Sequence, residues 1–456
     1  MKFITFTKDF LEEEHIQVLR ALGREIGVKS PTSKNKANII EHILAIQSGK
    51  LQPAEPSKRG APVLIEVDLS KFYAKGENVP YEHTGIDVKL ELSDSEKDQF
   101  ITDGFIEIDP LEKTAVMHVS NYKQGQLKVT VPAEKVTEYG LRQGDQISAT
   151  VKKIYKNQPP VLQEVLSINE VSIEEIGNRP LFESFSACNP TEKFVLEKDG
   201  DLSLRVLDLF VPIGKGQRGL VVSQPKSGGT TLLIKIANAI ALKNDVKVFV
   251  LLVDYRPEEI TDIEHDCVGE VRSSSFDESY QNHVKVADLC INKAKRLAES
   301  GKDAVVIVDS ITALAKAYAN VYPTSEGVVS AQAMQSIKAF FGCGKNLDDA
   351  GSLTLLATAT DTQNVFYQAV LQELEEVCNM QVYLDYNLAK KGVYPAIDLL
   401  KSSTKKSDSL LTAQEFSAYR ELYEQIIDDP QSTQRLLEAL KQTQDNQSLV
   451  EKINAK

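Results

Sequence analysis

Nine consecutive residues have the types and spacing to do chemistry: Ser223-Gln224-Pro225-Lys226-Ser227-Gly228-Gly229-Thr230-Thr231. They follow the apolar run GLVVS and precede TTLLIKIANAI, so a strand leads in and a helix leads out. A glycine-bearing turn so placed directs backbone N–H groups and a helix N-terminus at an anion, typically a phosphate. The usual pattern, G-x-x-x-x-G-K-[ST], has a lysine where Gly229 stands, so the segment alone serves equally as a tight strand–turn–helix corner. Two further runs give it context. VFVLLVD ends at Asp254 and leads into Tyr255-Arg256-Pro257-Glu258-Glu259, and AVVIVD ends at Asp309. A strand-end aspartate downstream of such a loop orients Mg²⁺ beside a nucleotide, although a lone one more commonly caps a helix. Three such elements in this order favour a nucleotide cleft, with Asp309 facing the metal.

The elements that must hold these residues follow from periodicity. Beyond about residue 200, apolar strands (GLVVS, VKVFVLLV, DAVVIVD, SLTLLATA, MQVYL) alternate with helical stretches, as in a parallel sheet covered on both faces. Between 96 and 172 the pattern is short strands separated by turns, which suits a small barrel of the oligonucleotide-binding (OB) type. Residues 9–49 show helical spacing around the basic turn KSPTSKNK, with Lys29, Lys34 and Lys36. The expected organisation is a helical module (1–50), a linker and insert (51–95), the barrel (96–172), an α/β nucleotide-binding domain (173–415) and a helical tail (416–456) interrupted at Asp429-Pro430.

Composition bounds the function. The 456 residues suffice for about three domains. A net charge of −13 argues against a protein that coats DNA or an anionic membrane by bulk attraction. Five cysteines without a C-x-x-C pair read as free thiols, not a disulfide or zinc framework. His265, His283 and Cys267 lack ligand spacing. No apolar run approaches the ~20 residues needed to span a bilayer, and the start is a poor signal peptide. A cytoplasmic location without membrane attachment is expected.

Longer segments carry a resemblance. PIGKGQRGLVVSQPKSG (212–228), LLVDYRPEEITDIE (251–264), GEVRSSSFDE (269–278), VIVDSITALAKAY (306–318), FFGCGKNLDDAGSLTLLATA (340–359) and VYPAIDLLKSSTKK (393–406) resemble the bacterial transcription termination factor Rho family. The resemblance implies a RecA-like ATPase core behind a helical module and an RNA-binding barrel. It also implies hexameric rings that translocate along RNA by hydrolysing ATP with Mg²⁺. Expected partners are single-stranded RNA, copies of this chain or an authentic Rho in a mixed ring, and RNA polymerase.

Matched residue by residue, the family's charged groups are depleted. Its phosphate loop reads K-x-G-K-T. Lys226, Gly228 and Thr230 match, beside Ser227 and Thr231, and the match implies that the Thr230 hydroxyl touches Mg²⁺, whereas Gly229 replaces the second lysine, a point charge on the terminal phosphates. Lys215, Gly216, Gln217, Arg218, Gly219 and Arg256 match positions lining the nucleotide pocket, and Tyr394 takes the place of a base-stacking aromatic. Tyr255 stands where a glutamate positions the attacking water, and a phenol with a pKa near ~10 is no base at neutral pH. Glu258 is the nearby candidate for rescue. Gly392 and Lys405 occupy the positions of arginines supplied across the subunit interface, and lysine lacks the planar fork. In the barrel, D-G-F-G-F appears as Asp103-Gly104-Phe105-Ile106-Glu107, so Phe105 remains for stacking while Glu107 would repel a phosphate backbone. In the second pore loop, Gln363 and Asn364 remain and Val365 replaces a lysine.

Three readings follow. The chain is a Rho-like ring protein that binds nucleotide and RNA with ATP hydrolysis weakened or lost. Alternatively it is a working ATP-dependent termination factor, with Lys226 and Lys405 standing in for the missing charges. Or it is a non-catalytic interaction protein on a RecA-like scaffold.

Overall fold

A computed structural model describes residues 6–12, most of 18–53, 99–109, 114–119, 127–153, 159–177, 179–197, 200–324, 328–426 and 432–455. The insert expected over 63–95, most of the linker before it, Lys29 and the Asp429-Pro430 break lie outside the described residues. The chain divides into two compact units, Met1–Thr102 and Asp103–Lys456. In the first, helices α1 (Lys8–Glu12) and α2 (Lys36–Gln47) enclose a small apolar core of Leu11, Leu19, Leu22, Ile39, Ile40 and Ile43. Lys36 Nζ donates to the Glu12 carbonyl at 2.6 Å.

The expected small barrel is present. Strands β1 (Gln99–Ile108), β2 (Ala115–His118), β3 (Lys128–Val131), β4 (Gln146–Lys152), β5 (Val161–Ile168) and β6 (Val171–Ser172) run in the order β3-β2-β1-β4-β5-β6. A β3–β5 pairing closes the first five into an OB-like barrel. Period-2 alternation sends Ile147, Ala149 and Val151 of β4 inward. Helix α3 (Ala133–Glu138) joins β3 to β4.

The α/β core follows. Its chain order is β7 (Ala187–Cys188), α4 (Leu202–Phe210), β8 (Arg218–Ser223), α5 (Gly229–Lys243), β9 (Lys247–Tyr255), α6 (Pro257–Asp266), β10 (Glu270–Ser275), α7 (Tyr280–Glu299) and β11 (Ala304–Asp309). It continues through α8 (Ile311–Val321), α9 (Ala331–Phe341), β12 (Lys345–Leu347), β13 (Ser352–Thr360), α10 (Val365–Val377), β14 (Met380–Leu384), α11 (Tyr386–Lys390) and β15 (Ile397–Thr404). The sheet order is β10-β9-β11-β13-β8-β14-β15. Along this path every pair up to β8–β14 is parallel and β15 runs back against β14, while off it β12 pairs antiparallel with β13 and with β7.

Successive residues of each strand feed opposite faces, which is why the strands are apolar throughout. Val221, Val250, Ile307 and Leu356 pack beneath Leu233 and Ile236 of α5. Leu220, Leu251, Val306 and Leu355 pack against Ala287 and Ile291 of α7 and Leu314 of α8.

Three helices close the chain: α12 (Ala413–Ile426), α13 (Ser432–Lys441) and α14 (Asn446–Asn454). They lie on the α5 face through Leu436, Leu440, Leu449 and Ile453. The guanidinium of Arg205, on α4, is buried among them. It donates to the carbonyls of Leu440 and Thr443 at 2.8 Å each and to Asn446 Oδ1 at 3.1 Å, while Asn446 Nδ2 donates back to the Arg205 carbonyl at 2.9 Å. All five cysteines are free thiols. Among the described residues no helix is long and apolar enough to cross a membrane.

Candidate functional site

Parallel strands end at one edge of a sheet, and their carboxyl ends form the crevice in which such folds bind ligands. Here β8 ends at Ser223, β9 at Tyr255, β11 at Asp309 and β13 at Thr360. The loop from Gln224 to Gly228 therefore opens at the same edge as both strand-end residues singled out by sequence. Gly228 sits at φ +95°, a conformation that suits glycine, and no side chain caps the helix that follows. The first N–H groups of α5 are thus left to an anion or water. Ser227 is buried, its hydroxyl donating to the Gln224 carbonyl at 2.6 Å. Lys226 is exposed in the left-handed region at φ +69°, and among the described residues it has no ion-pair partner. Thr231 is exposed in the first helical turn. The exposed Tyr394 lies over the loop, its Cε1 3.9 Å from where a Gly228 β-carbon would stand.

Gly229 is more than a missing charge. A β-carbon there would come within 2.6 Å of Ser223 Oγ and 3.3 Å of Ser223 Cβ, so the end of β8 has closed into the space a side chain would need.

Tyr255 is tied to both residues expected to face a metal. Its hydroxyl donates to Asp309 Oδ2 at 2.7 Å and lies 3.1 Å from Thr230 Oγ1. Asp309 is buried, and its other oxygen accepts from Thr358 Oγ1 at 2.6 Å. Burial first, and the Asp309 carboxylate second, push the Tyr255 phenol far above its ordinary range, so it stays protonated and donates. Thr358 carries no motif; only its place on a strand neighbouring both β8 and β11 gives it a role. Magnesium demands oxygen ligands at about 2.1 Å in near-octahedral array. With a phenol oxygen hydrogen-bonded between Thr230 and Asp309, these residues as arranged do not fit the ion.

Other expected site residues scatter. Arg256 is exposed at the start of α6, its guanidinium 4.0 Å from Glu259. Glu258 is exposed in the first turn of that helix, and among the described residues nothing ties it to the loop. Gln363 lines a cleft of about 310 Å³ with Gln224, Pro225, Asp361, Thr362 and Gln368. Asn364 caps α10, accepting from Phe366 N at 2.9 Å.

Lys215, Gly216, Gln217, Arg218 and Gly219 lie apart from the loop of their own chain. They precede or begin β8 while the loop follows it, and a six-residue strand at ~3.3 Å per residue separates the two by roughly 20 Å. At that amino-terminal edge they serve the scaffold. Lys215 pairs with Glu192 (2.6 Å) and Asp303 (2.9 Å), and Gly216 N donates to Thr354 Oγ1 at 2.8 Å. The buried Gln217 accepts from Gly214 N, and Arg218 donates to the Val377 and Gly344 carbonyls. Lys405 lies at the same remote edge, donating to the Cys378 carbonyl at 2.9 Å. Gly392 sits at φ +73° with open space around it.

The barrel residues are also placed differently from expectation. The Phe105 ring is almost wholly buried, with Lys293 Nζ 3.8 Å and Arg272 Cζ 5.1 Å from its centroid. It faces the seam between barrel and core, not an open surface on which a base could stack. Burial lowers the Lys293 ammonium to about 8, against the pull of Glu270 at 2.9 Å. Glu107 is hydrogen-bonded to His118 Nε2 at 2.6 Å and ion-paired with Lys285 Nζ at 2.7 Å. Burial alone would raise its carboxyl, but these two partners hold it at about 2.

The nucleotide-binding domain model of the ATP synthase alpha/beta family matches residues 203–404, the segment that carries the loop, Tyr255 and Asp309. The protein of Bacillus subtilis (strain 168) named transcription termination factor Rho is 35% identical over 373 residues, covering 80% of this chain and 87% of that one. The chain belongs to the transcription termination factor Rho family. The Rho of Streptosporangium roseum is 38% identical over 354 residues, covering 76% of this chain and 91% of its own. For the Rho of Mycobacterium bovis the identity is also 38%, over 74% of this chain and 59% of that protein. Among solved structures, an ATPase from the type III secretion system of pathogenic bacteria superposes with a TM-score of 0.50 at 17% identity, over 67% of this chain and 92% of its own. That likeness speaks for the RecA-type fold alone.

Proposed function

We propose that this Rho-family chain is a ring-forming subunit that binds nucleotide and single-stranded RNA in transcription termination or its regulation, with ATP hydrolysis weakened or lost. The observation that carries the last part is the Tyr255 hydroxyl donating to Asp309. A group that donates there cannot take the proton of an attacking water. The loss of the loop lysine at Gly229 points the same way. Exposed Lys226 and Tyr394 and the uncapped start of α5 support retention of binding. Lys405, remote from its own loop, is suited to act only on a neighbouring copy, where lysine replaces the fork of an arginine. Mixed rings with an authentic Rho and contact with RNA polymerase belong to the same reading.

The test is ATP turnover by the purified chain with and without a pyrimidine-rich RNA. The expected outcome is turnover at background in both. RNA-stimulated hydrolysis abolished by Thr230→Ala would overturn the reading. One observation favours a second one: Lys226 is unpaired among the described residues and within the loop, so it is free to reach a phosphate. Under that reading turnover exists and falls steeply in Lys226→Ala.

A further inference from the structure

Resting on the nucleotide-binding reading, we propose that this cleft takes its nucleotide free of divalent metal and favours a nucleoside diphosphate over a triphosphate. The Tyr255 hydroxyl stands in place of the ion. An ion held by both Thr230 and Asp309 would have to lie about 2.1 Å from an oxygen of each. The phenol oxygen already lies 3.1 Å from the first and 2.7 Å from the second, so ion and phenol compete for one volume. The phenol is the better anchored. Its ring packs against the apolar core beneath α5, and its backbone carbonyl accepts from Phe276 N at 2.9 Å. Swinging it out would break both hydroxyl contacts and leave a buried Asp309 oxygen without its donor, a costly loss for a charged acceptor.

The same arrangement supplies what a metal otherwise supplies to the scaffold. Asp309 has Thr358 on one oxygen and Tyr255 on the other, and Thr230 is held through the phenol. The residues that elsewhere would await an ion are mutually satisfied here. What remains for the nucleotide is Lys226 and the free N–H groups at the start of α5 for its phosphates, and the Tyr394 ring above the loop for its base. With neither a lysine at 229 nor a divalent ion, a third phosphate would bring extra negative charge toward Asp309 with Lys226 as the one loop cation to offset it. A diphosphate ends short of that conflict.

The experiment is calorimetric titration of the full chain with ADP and with ATP, in EDTA and in millimolar Mg²⁺. ADP affinity is expected to agree within about twofold between the two buffers and to exceed that for ATP. Mn²⁺ added with ADP should give no protein-bound electron paramagnetic resonance signal. In Tyr255→Glu, which replaces the phenol by a metal-seeking carboxylate, Mg²⁺ should strengthen ADP binding by about tenfold or more. Binding by the parent chain that EDTA weakens about tenfold, or a bound Mn²⁺ signal, would overturn the metal-free assignment and leave nucleotide binding standing. A Tyr255→Glu chain that binds ADP with no response to Mg²⁺ would remove Tyr255 from the explanation. Absence of binding by the parent in every buffer would overturn this inference and the nucleotide-binding reading together.

Discussion

Around the phosphate loop, Lys226 and Tyr394 stay exposed and the first turn of α5 stays uncapped, while behind them Tyr255 bridges Thr230 and Asp309. At the seam between barrel and core, Phe105 lies under Lys293 and Arg272, and Glu107 is held by His118 and Lys285. Both regions have turned an expected ligand contact inward, by different physical routes. At the loop the inward contacts involve Tyr255, Thr230 and Asp309, and the mouth of the cleft remains open. At the seam the aromatic itself is used up in packing, and every nearby charge has an internal partner. The first change sets a hydrogen-bond donor between Thr230 and Asp309 and leaves the mouth open; the second packs an aromatic between two layers.

That contrast can be broken most strongly by putting the lost groups back. Ser223→Ala, Gly229→Lys, Tyr255→Glu and Lys405→Arg combined should raise RNA-stimulated phosphate release by about 10²–10⁴ over the parent, the scale on which a base and a trans arginine act. No increase would mean that turnover is lost elsewhere than at the loop. At the seam, Phe105→Ala should cost about 3 kcal/mol in urea unfolding, the cost of emptying a packed aromatic site. A loss below about 0.5 kcal/mol, typical of a surface position, would return Phe105 to the exposed face.

The acid limb of stability sharpens the same point. Glu107 is held at about 2 in the folded chain against an ordinary 4.5. Its contribution is therefore complete above about pH 4.5 and lost as the pH falls toward 2. Glu107→Gln should flatten that part of the stability profile, measured by urea midpoints at stepped pH, while leaving the neutral region parallel to the parent. The smallest effect is expected from crowding at the loop. Gly229→Lys alone should lower stability by about 1 kcal/mol, and adding Ser223→Ala should recover part of it. Strict additivity of the two would show that Ser223 does not close on position 229.

Much of the architecture was legible because parallel strands buried on both faces announce themselves as apolar runs, and GLVVS, VFVLLVD and AVVIVD all became central strands. The loop at their carboxyl edge was legible for the same reason. The position of 215–219 was not, since a motif fixes neighbours along the chain but not which end of a strand they occupy. Nor could sequence show that Phe105 meets Lys293, nearly two hundred residues later, or that Thr358 completes the shell of Asp309. The last helix, Asn446–Asn454, falls within the expected helical tail, with Leu449, Val450 and Ile453 as its buried apolar residues. Its burial depends on partners from α4 and α12, which no local pattern reveals.

The grip of Arg205 on Leu440, Thr443 and Asn446 makes the final turns of the chain part of the machinery that folds the cleft. Shortening the protein ahead of Thr443 would remove the Thr443 and Asn446 acceptors and uncover the apolar residues that Leu449 and Ile453 cover, leaving Arg205 with Glu197 at 3.3 Å. Such a truncated version would be expected to collect in inclusion bodies, whereas a tag appended after Ala455 should leave the molecule intact.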